Sequence, residues 1–330
     1  MAARPMNLKP RETTSPGGAW ETFHPQSAPD GAAIAQLRAM VAPNKGKLRG
    51  TAARVPFDGI ISHTSFPEGV GFREDTIGDV PGWWCEPTAA RQDAAILHLH
   101  GGWFNWGKAQ AFRNLVGHIA RSAGARAFIP DYRLAPEHPF PAAVDDAQAC
   151  FRGLVETGVR NIALTGDSAG GNLALVLLAL TGGRSGVRAV GAVALSPVTD
   201  LALTGASWES RADADPFFRR DQAESLIAAY IGGHSPVDPS TSPLYGSFAG
   251  LPPIRIHVGD AEVLLDDSRR YAAAAVAAGV DARVDVWEGM PHGFIGNIGQ
   301  LEAAAKALDM IGNFVSERLD AGAPAKRAGS

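Results

Sequence analysis

Ser168 stands in Gly166-Asp167-Ser168-Ala169-Gly170, between the apolar runs Ile162-Ala-Leu164 and Leu173–Leu180. A serine hydroxyl works as a nucleophile when it projects from a sharp turn between a buried strand and a helix, on strained backbone. Side chains two residues to either side would crowd that turn, which suits Gly166 and Gly170. The following helix would aim free backbone N–H groups and its positive dipole end at the reaction centre. The pattern alone is weak: a shuffled chain of this composition contains it about 0.24 times. A plain glycine turn with Ser168 capping a helix would read the same way locally. The buried strand before it and the apolar helix after it favour the nucleophile.

Such a serine requires a base to take its proton, an acid to orient the base and donors for a developing oxyanion. On a strand–turn–helix scaffold the chain order is serine, acid, histidine. Three histidines follow Ser168: His234, His257 and His292. His234 falls in an irregular stretch and His257 inside a strand, whereas His292 follows a strand in the loop Glu288-Gly-Met-Pro-His-Gly-Phe294, so His292 is the expected base. The acid should come from Gly259–Asp267, where Asp260, Glu262, Asp266 and Asp267 compete. Asp266 and Asp267 precede a helix and read as its caps; position leaves Asp260 and Glu262 both open. Oxyanion donors are expected from the glycine turn in His98-Leu-His100-Gly101-Gly102-Trp103-Phe104 and from the N–H of Ala169. Trp103, Phe217, Phe218 and Tyr230 are the aromatic candidates for lining a pocket for a small, fairly hydrophobic substrate.

These side chains need a scaffold that brings them to one rim. Strand-like segments fall at 53–60, 77–85, 94–100, 126–130, 161–165, 189–195, 253–259 and 282–288, and helix-like ones at 108–122, 141–157, 170–181, 266–278 and 298–319. Their alternation predicts a mostly parallel, eight-stranded α/β sheet with helices on both faces. The pair 53–60 and 77–85 is expected to be antiparallel and at an edge. Each motif follows a strand, so all of them should gather at the carboxyl edge, where such sheets bind ligands. Residues 51–199 and 247–319 read as the core. The stretch 200–246, too long for a simple loop, holds Trp208, Phe217, Phe218 and an amphipathic helix near 219–231. With residues 1–50 it is expected to form a helical cap. Residues 1–30 read as a mobile arm, 31–41 as a helix and 320–330 as a disordered tail. The strand 282–288 should lie at a sheet edge, open to pairing with a second copy in a homodimer.

Composition narrows the classes. Net charge is −4 with 19% charged residues, so no basic face argues for nucleic acid. No run of about eighteen apolar residues is present, so no membrane span is expected. Met1–Pro10 has no apolar core of the kind secretory leaders carry. The two cysteines, Cys85 and Cys150, have no metal-ligand spacing and read as reduced core thiols of a cytoplasmic protein. No metal or organic cofactor is called for.

Taken together, His100-Gly-Gly-Trp-Phe104, Asp131-Tyr-Arg-Leu-Ala-Pro-Glu-His-Pro-Phe-Pro-Ala-Ala-Val-Asp-Asp146, Gly166-Asp-Ser-Ala-Gly-Gly-Asn172, Glu262-Val-Leu-Leu-Asp-Asp267 and the His292 loop resemble the bacterial hormone-sensitive-lipase-like carboxylesterases of the α/β-hydrolase fold, over about residues 75–318. The resemblance implies a serine esterase acting on short-chain or small hydrophobic esters through an acyl-enzyme. Its acid begins a D/E-x-L-x-D stretch, a register that falls on Glu262 here. The second and third glycines of its HGGG box donate to the oxyanion, and these positions are Gly102 and Trp103. Trp103 departs from the pattern; its backbone N–H remains a donor, while its indole would narrow the acyl pocket. The segment from Asp131 to Asp146 and the carboxylate of Asp167 are read as scaffold. Two rival readings are a lactone, carbamate or acetyl-ester hydrolase using the same triad, and a non-catalytic small-molecule-binding protein on the hydrolase scaffold.

Overall fold

The computed structural model describes residues 18–181 and 189–322. In chain order its main elements are β1 (Glu21–His24), α1 (Ala28–Val41), α2 (Arg54–Ile61), β2 (Val70–Ile77), β3 (Val80–Pro87), β4 (Arg91–Leu99), α3 (Ala109–Ala123), β5 (Ala125–Pro130), α4 (Ala142–Glu156) and β6 (Asn161–Asp167). There follow α5 (Ala169–Thr181), β7 (Ala189–Leu195), α6 (Ser207–Ser210), α7 (Arg220–Ile231), β8 (Ile254–Gly259), α8 (Leu265–Ala277), β9 (Ala282–Trp287) and α9 (Glu302–Ala321).

The described strands form one sheet in the order β1-β9-β8-β7-β6-β4-β5-β3-β2. It is parallel from β1 to β5, with β3 and β2 antiparallel at the far edge. Central strands such as β6, Asn161-Ile-Ala-Leu-Thr-Gly-Asp167, are buried on both faces, which is why they read as continuous apolar runs. Alternate residues feed two cores. Leu97, Leu164 and Ala194 pack with α4, α5, α8 and the 200–246 segment. Ile96, Ala163 and Val193 pack with α3, α9 and Ile34 of α1. Helix α5 is buried almost all round, since it lies between the sheet and its neighbours.

The sheet has nine strands, one more than expected, and both edges differ from the sequence reading. Residues 54–61 are a helix rather than a strand. Val55, Phe57 and Ile60 mimic an alternating pattern, but only Phe57 and Ile61, four apart, are partly covered, while Val55 and Ile60 are exposed. The true partner of β3 is β2, hidden in sequence by Arg73-Glu74-Asp75. Those charges are tolerated because β2 is an edge, where Arg73 pairs with Asp75 (2.8 Å) and Glu86 (3.3 Å). At the other edge β1 adds in parallel to β9, so β9 is not open to a second copy. His24 of β1 stacks on Trp287 at 4.0 Å and hydrogen-bonds Asp285 at 2.7 Å, and Arg269 clasps Glu21 at 2.8 Å. Residues 18–30 are therefore fastened to the sheet rather than a loose arm; residues 1–17 lie outside the described residues. The final helix runs to Ala321, so residues 320 and 321 are helical rather than tail; residues 323–330 lie outside the described residues. No described helix is long and apolar enough to cross a membrane. Cys85 and Cys150 are both buried and unpaired, as expected of core thiols.

Candidate active site

Ser168 follows β6 directly and adopts φ +55°, a left-handed conformation that costs a non-glycine residue roughly 1–2 kcal/mol. Three backbone bonds hold it there: its N–H donates to Leu195 O (2.7 Å), and its carbonyl accepts from Asn172 N–H (3.1 Å) and Val198 N–H (3.3 Å). The tightness of the turn explains its glycines. A Cβ at Gly166 would strike the Gly170 carbonyl, and one at Gly170 would strike the Leu99 carbonyl. The hydroxyl therefore stands at the carboxyl end of the central strand with the N-terminus of α5 behind it. Ser168 is 3% exposed, and among the described residues its hydroxyl makes no hydrogen bond.

The loop after β4 is anchored to this turn by Asp167, whose Oδ1 accepts from Gly101 N–H (3.0 Å) and lies 3.3 Å from His98 Nε2. That fits the scaffold role read from sequence. Gly102 has φ +118° and a Cβ there would strike the Trp106 carbonyl, so only glycine passes. Trp103 (φ +55°) and Phe104 (φ +60°) continue the left-handed turn at the expense of strain. The turn is closed by Asn105 and Trp106 N–H groups donating to Gly102 O at 3.0 and 2.9 Å. Among the described residues, the N–H groups of Gly102, Trp103 and Ala169 have no acceptor, as a preformed oxyanion pocket requires. Tyr132 and Asp131 brace the loop from below, through Tyr132 Oη to His100 O (2.7 Å) and Asp131 Oδ1 to Ala109 N–H (2.6 Å), again as scaffold. Helix α2 lies over it, with Phe57 tilted against Trp106 at 5.6 Å.

Of the two open acids, the structure brings Glu262 to His292. Glu262 Oε2 lies 2.7 Å from His292 Nδ1, while Oε1 accepts from Gly259 N–H (2.6 Å) and Ser196 Oγ–H (2.7 Å). Glu262 is fully buried, and these three partners are what make a buried carboxylate tolerable. Asp260 instead accepts from Gly289 N–H at 2.6 Å, tying the two loops together. Burial of His292 disfavours its charged form, but the hydrogen bond and charge of Glu262, with Asp215 and Asp167 adding, outweigh it and raise the pKa above its ordinary 6.5. A charged Glu262 places the proton on Nδ1 and leaves Nε2 as the free base. The other two histidines are elsewhere: His234 is exposed beside Phe140, and His257 is buried under Trp287 with its pKa pushed down to about 4.

Asp266 and Asp267 do not cap α8 as expected; its N-cap is Leu264, with no side-chain cap. They reach outward instead. Asp267 accepts from Thr199 and Asp200 N–H groups (2.8 and 3.0 Å) and Asp266 from Ser207 N–H (2.9 Å), pinning the start of the 200–246 segment.

The aromatic candidates divide. Phe218 meets His292 edge to face at 4.9 Å, and Trp103 meets Phe218 at 5.3 Å and Trp208 at 6.3 Å, forming one aromatic wall from the oxyanion loop to the imidazole. Phe217 is half-buried and its carbonyl accepts from Gly46 N–H (2.9 Å). Tyr230 does not join the wall: it is fully buried and stacked on Phe104 at 3.8 Å. Sequence reasoning missed Ser196 and Asp215. Ser196 had a signal, since it follows β7 on the same rim; Asp215 had none, because only the tertiary fold brings it near. A separate cleft between α2 and α3, lined by Asp58, Ser62, Lys108, Gln110 and Asn114, contains none of the candidate residues.

Comparison with known proteins gives the family of the chain. The α/β hydrolase fold family matches residues 96–296. An acetyl-hydrolase of Streptomyces hygroscopicus is 36% identical over 243 residues, 73% of this chain and 81% of that protein. The carboxylesterase NlhH of Mycobacterium tuberculosis is 32% identical over 247 residues, covering 71% and 76%. Among solved structures, an esterase from the bacterial hormone-sensitive lipase family superposes with a TM-score of 0.83 at 35% identity, covering 89% of this chain and 99% of that one. EstE5 soaked with p-nitrophenyl butyrate gives 0.80 at 32% identity, covering 87% and 99%. The chain belongs to the α/β-hydrolase family, among its bacterial hormone-sensitive-lipase-like members, and it is a carboxylic ester hydrolase.

Proposed function

We propose that Ser168, Glu262 and His292 are the catalytic triad of a serine carboxylesterase acting on short-chain or small hydrophobic esters. The observation that carries this reading is the 2.7 Å contact between Glu262 and His292 Nδ1, which leaves Nε2 free on the rim where Ser168 stands. His292 Nε2 takes the Ser168 proton as Oγ attacks the ester carbonyl, and the alkoxide oxygen is received by the N–H groups of Gly102, Trp103 and Ala169. The protonated imidazole, held by Glu262, passes its proton to the departing alcohol. Water then takes the alcohol's place, gives a proton to Nε2 and attacks the acyl-enzyme, releasing acid and restoring the serine.

Residues 18–50 and 200–246 act as the cap over this rim, and Trp103 with Phe218 and Trp208 closes the substrate space on that side. The aromatic wall supports small acyl groups, in keeping with an acetyl-hydrolase among the relatives. The deciding experiment is labelling with an organophosphate or activated ester. One equivalent should attach at Ser168, and Ser168→Ala should lose labelling together with about 10⁶ in kcat. A Ser168→Ala enzyme of normal activity would end the assignment.

A further inference from the structure

Asp215 lies between α6 and α7, is fully buried, and has no cation on its carboxylate oxygens among the described residues. Its acceptors are spent on three backbone N–H groups. Oδ2 accepts from Val263 (3.0 Å), the residue immediately after Glu262. Oδ1 accepts from Phe217 (2.7 Å) and Phe218 (2.9 Å), and Phe218 is the ring that meets His292. The other polar group of Val263 is also taken from this segment, its carbonyl accepting from Ser207 Oγ–H at 2.5 Å. Ser207 Oγ in turn accepts from Asp266 N–H (3.1 Å). From the opposite side Lys45 Nζ donates to the Asp215 carbonyl (2.5 Å) and to Ala212 O, and Gly46 N–H donates to Phe217 O (2.9 Å).

We propose that Asp215 is a positioning residue for ester hydrolysis: its carboxylate holds, at once, the peptide that follows Glu262 and the turn that sets Phe218 against His292. The inference rests on the triad assignment above. A loop with both polar groups of Val263 fastened to the segment above it cannot shift without that segment, so the cap and the triad acid move as one unit. The same carboxylate places fixed negative charge near the imidazole. The charged groups acting on His292 are Glu262, Asp215 and Asp167, all acidic, while Lys45 binds the carbonyl rather than the carboxylate of Asp215. A positive imidazole during acyl transfer is therefore favoured by three carboxylates, one of them supplied by the cap.

Asp215→Asn separates positioning from bulk packing. Its amide oxygen still serves Phe217 and Phe218, while its NH2 group cannot accept from Val263 and carries no charge. The expected result is a folded enzyme whose kcat falls 10- to 100-fold with KM changed less than threefold. The acid limb of its kcat/KM profile should move to lower pH, because the imidazole has lost an acidic neighbour. Ser207→Ala removes the second tether, together with the acceptor of Asp266 N–H, but leaves the Asp215 carboxylate in place; it should lower kcat at least fivefold with the acid limb unmoved, and it decides the matter if Asp215→Asn does not fold. Unchanged kcat in Ser207→Ala, or unchanged kcat and acid limb in a folded Asp215→Asn, overturns the inference. Ser168→Ala run alongside keeps the two readings apart. If it is dead while Asp215→Asn is unaffected, only the positioning role falls; if it is active, both fall.

Discussion

At the scale of single residues, the site is built from conformations that side chains ordinarily avoid. Ser168, Ser196, Trp103 and Phe104 all have positive φ, and each marks a place where the chain turns sharply at the carboxyl edge of the sheet. The raised pKa of His292 has a direct consequence. In the proposed mechanism His292 must be neutral to accept the Ser168 proton, so activity should fall as pH drops through that pKa, and the acid limb of kcat/KM should lie above 6.5. Replacing Glu262 by Gln removes the largest influence favouring the imidazolium. The acid limb should then move down, and kcat should drop by about 10³–10⁴, comparable to loss of the orienting acid in other triads. Asp260→Asn should cost less than about tenfold in kcat, since Asp260 holds a loop rather than the imidazole. Steady-state profiles of both variants over pH 5–9 distinguish them. Trp103→Gly should relieve left-handed strain while opening space beside Phe218 and Trp208. The ratio of kcat/KM for hexanoate over acetate esters should rise about tenfold or more, a value set by differential pocket filling.

At the scale of elements, the first turn of α8 ties the sheet edge to the start of the 200–246 segment. Asp266 and Asp267 reach from it to Ser207, Thr199 and Asp200, and Arg270 joins Asp200 at 2.7 Å. Burial, reinforced by Asp200 and only partly offset by Arg270, pushes Asp267 up to about 7. A carboxyl whose folded pKa exceeds its unfolded value of 3.8 favours the folded state most below that value, and the benefit is lost as pH rises through about 7. Asp267→Asn keeps an acceptor for the two N–H groups without the charge, so stability should vary less between pH 4 and 7 than in the parent. The difference should reach at most about 4 kcal/mol, read from denaturant midpoints across that range. Elements with a strong period, such as β6–α5 and β8–α8, were legible in sequence. Helix α2 and strand β2 were not, because a half-exposed helix and a charged edge strand carry weak patterns, and neighbours such as Trp106 and β3 decide what they become.

For the whole molecule, β1 closes one edge of the sheet and joins the N-terminal segment to the last strand. Deleting residues 1–27 should expose the ladder of β9, and light scattering should then report a larger mean mass per chain than for the full chain at the same concentration. The class of fold, the turn carrying Ser168 and the loop carrying His292 were legible in sequence, because local steric demands and apolar periodicity act within a few residues of chain. It narrowed the acid to Asp260 and Glu262, and only by resemblance did it favour Glu262. Only the packed fold sets Glu262 rather than Asp260 in reach of His292, stacks Tyr230 on Phe104, and brings Ser196 and Asp215 to the Glu262 loop. Those contacts join residues tens of positions apart, and a buried carboxylate takes whichever N–H and O–H donors the packed strands and the 200–246 segment bring to it.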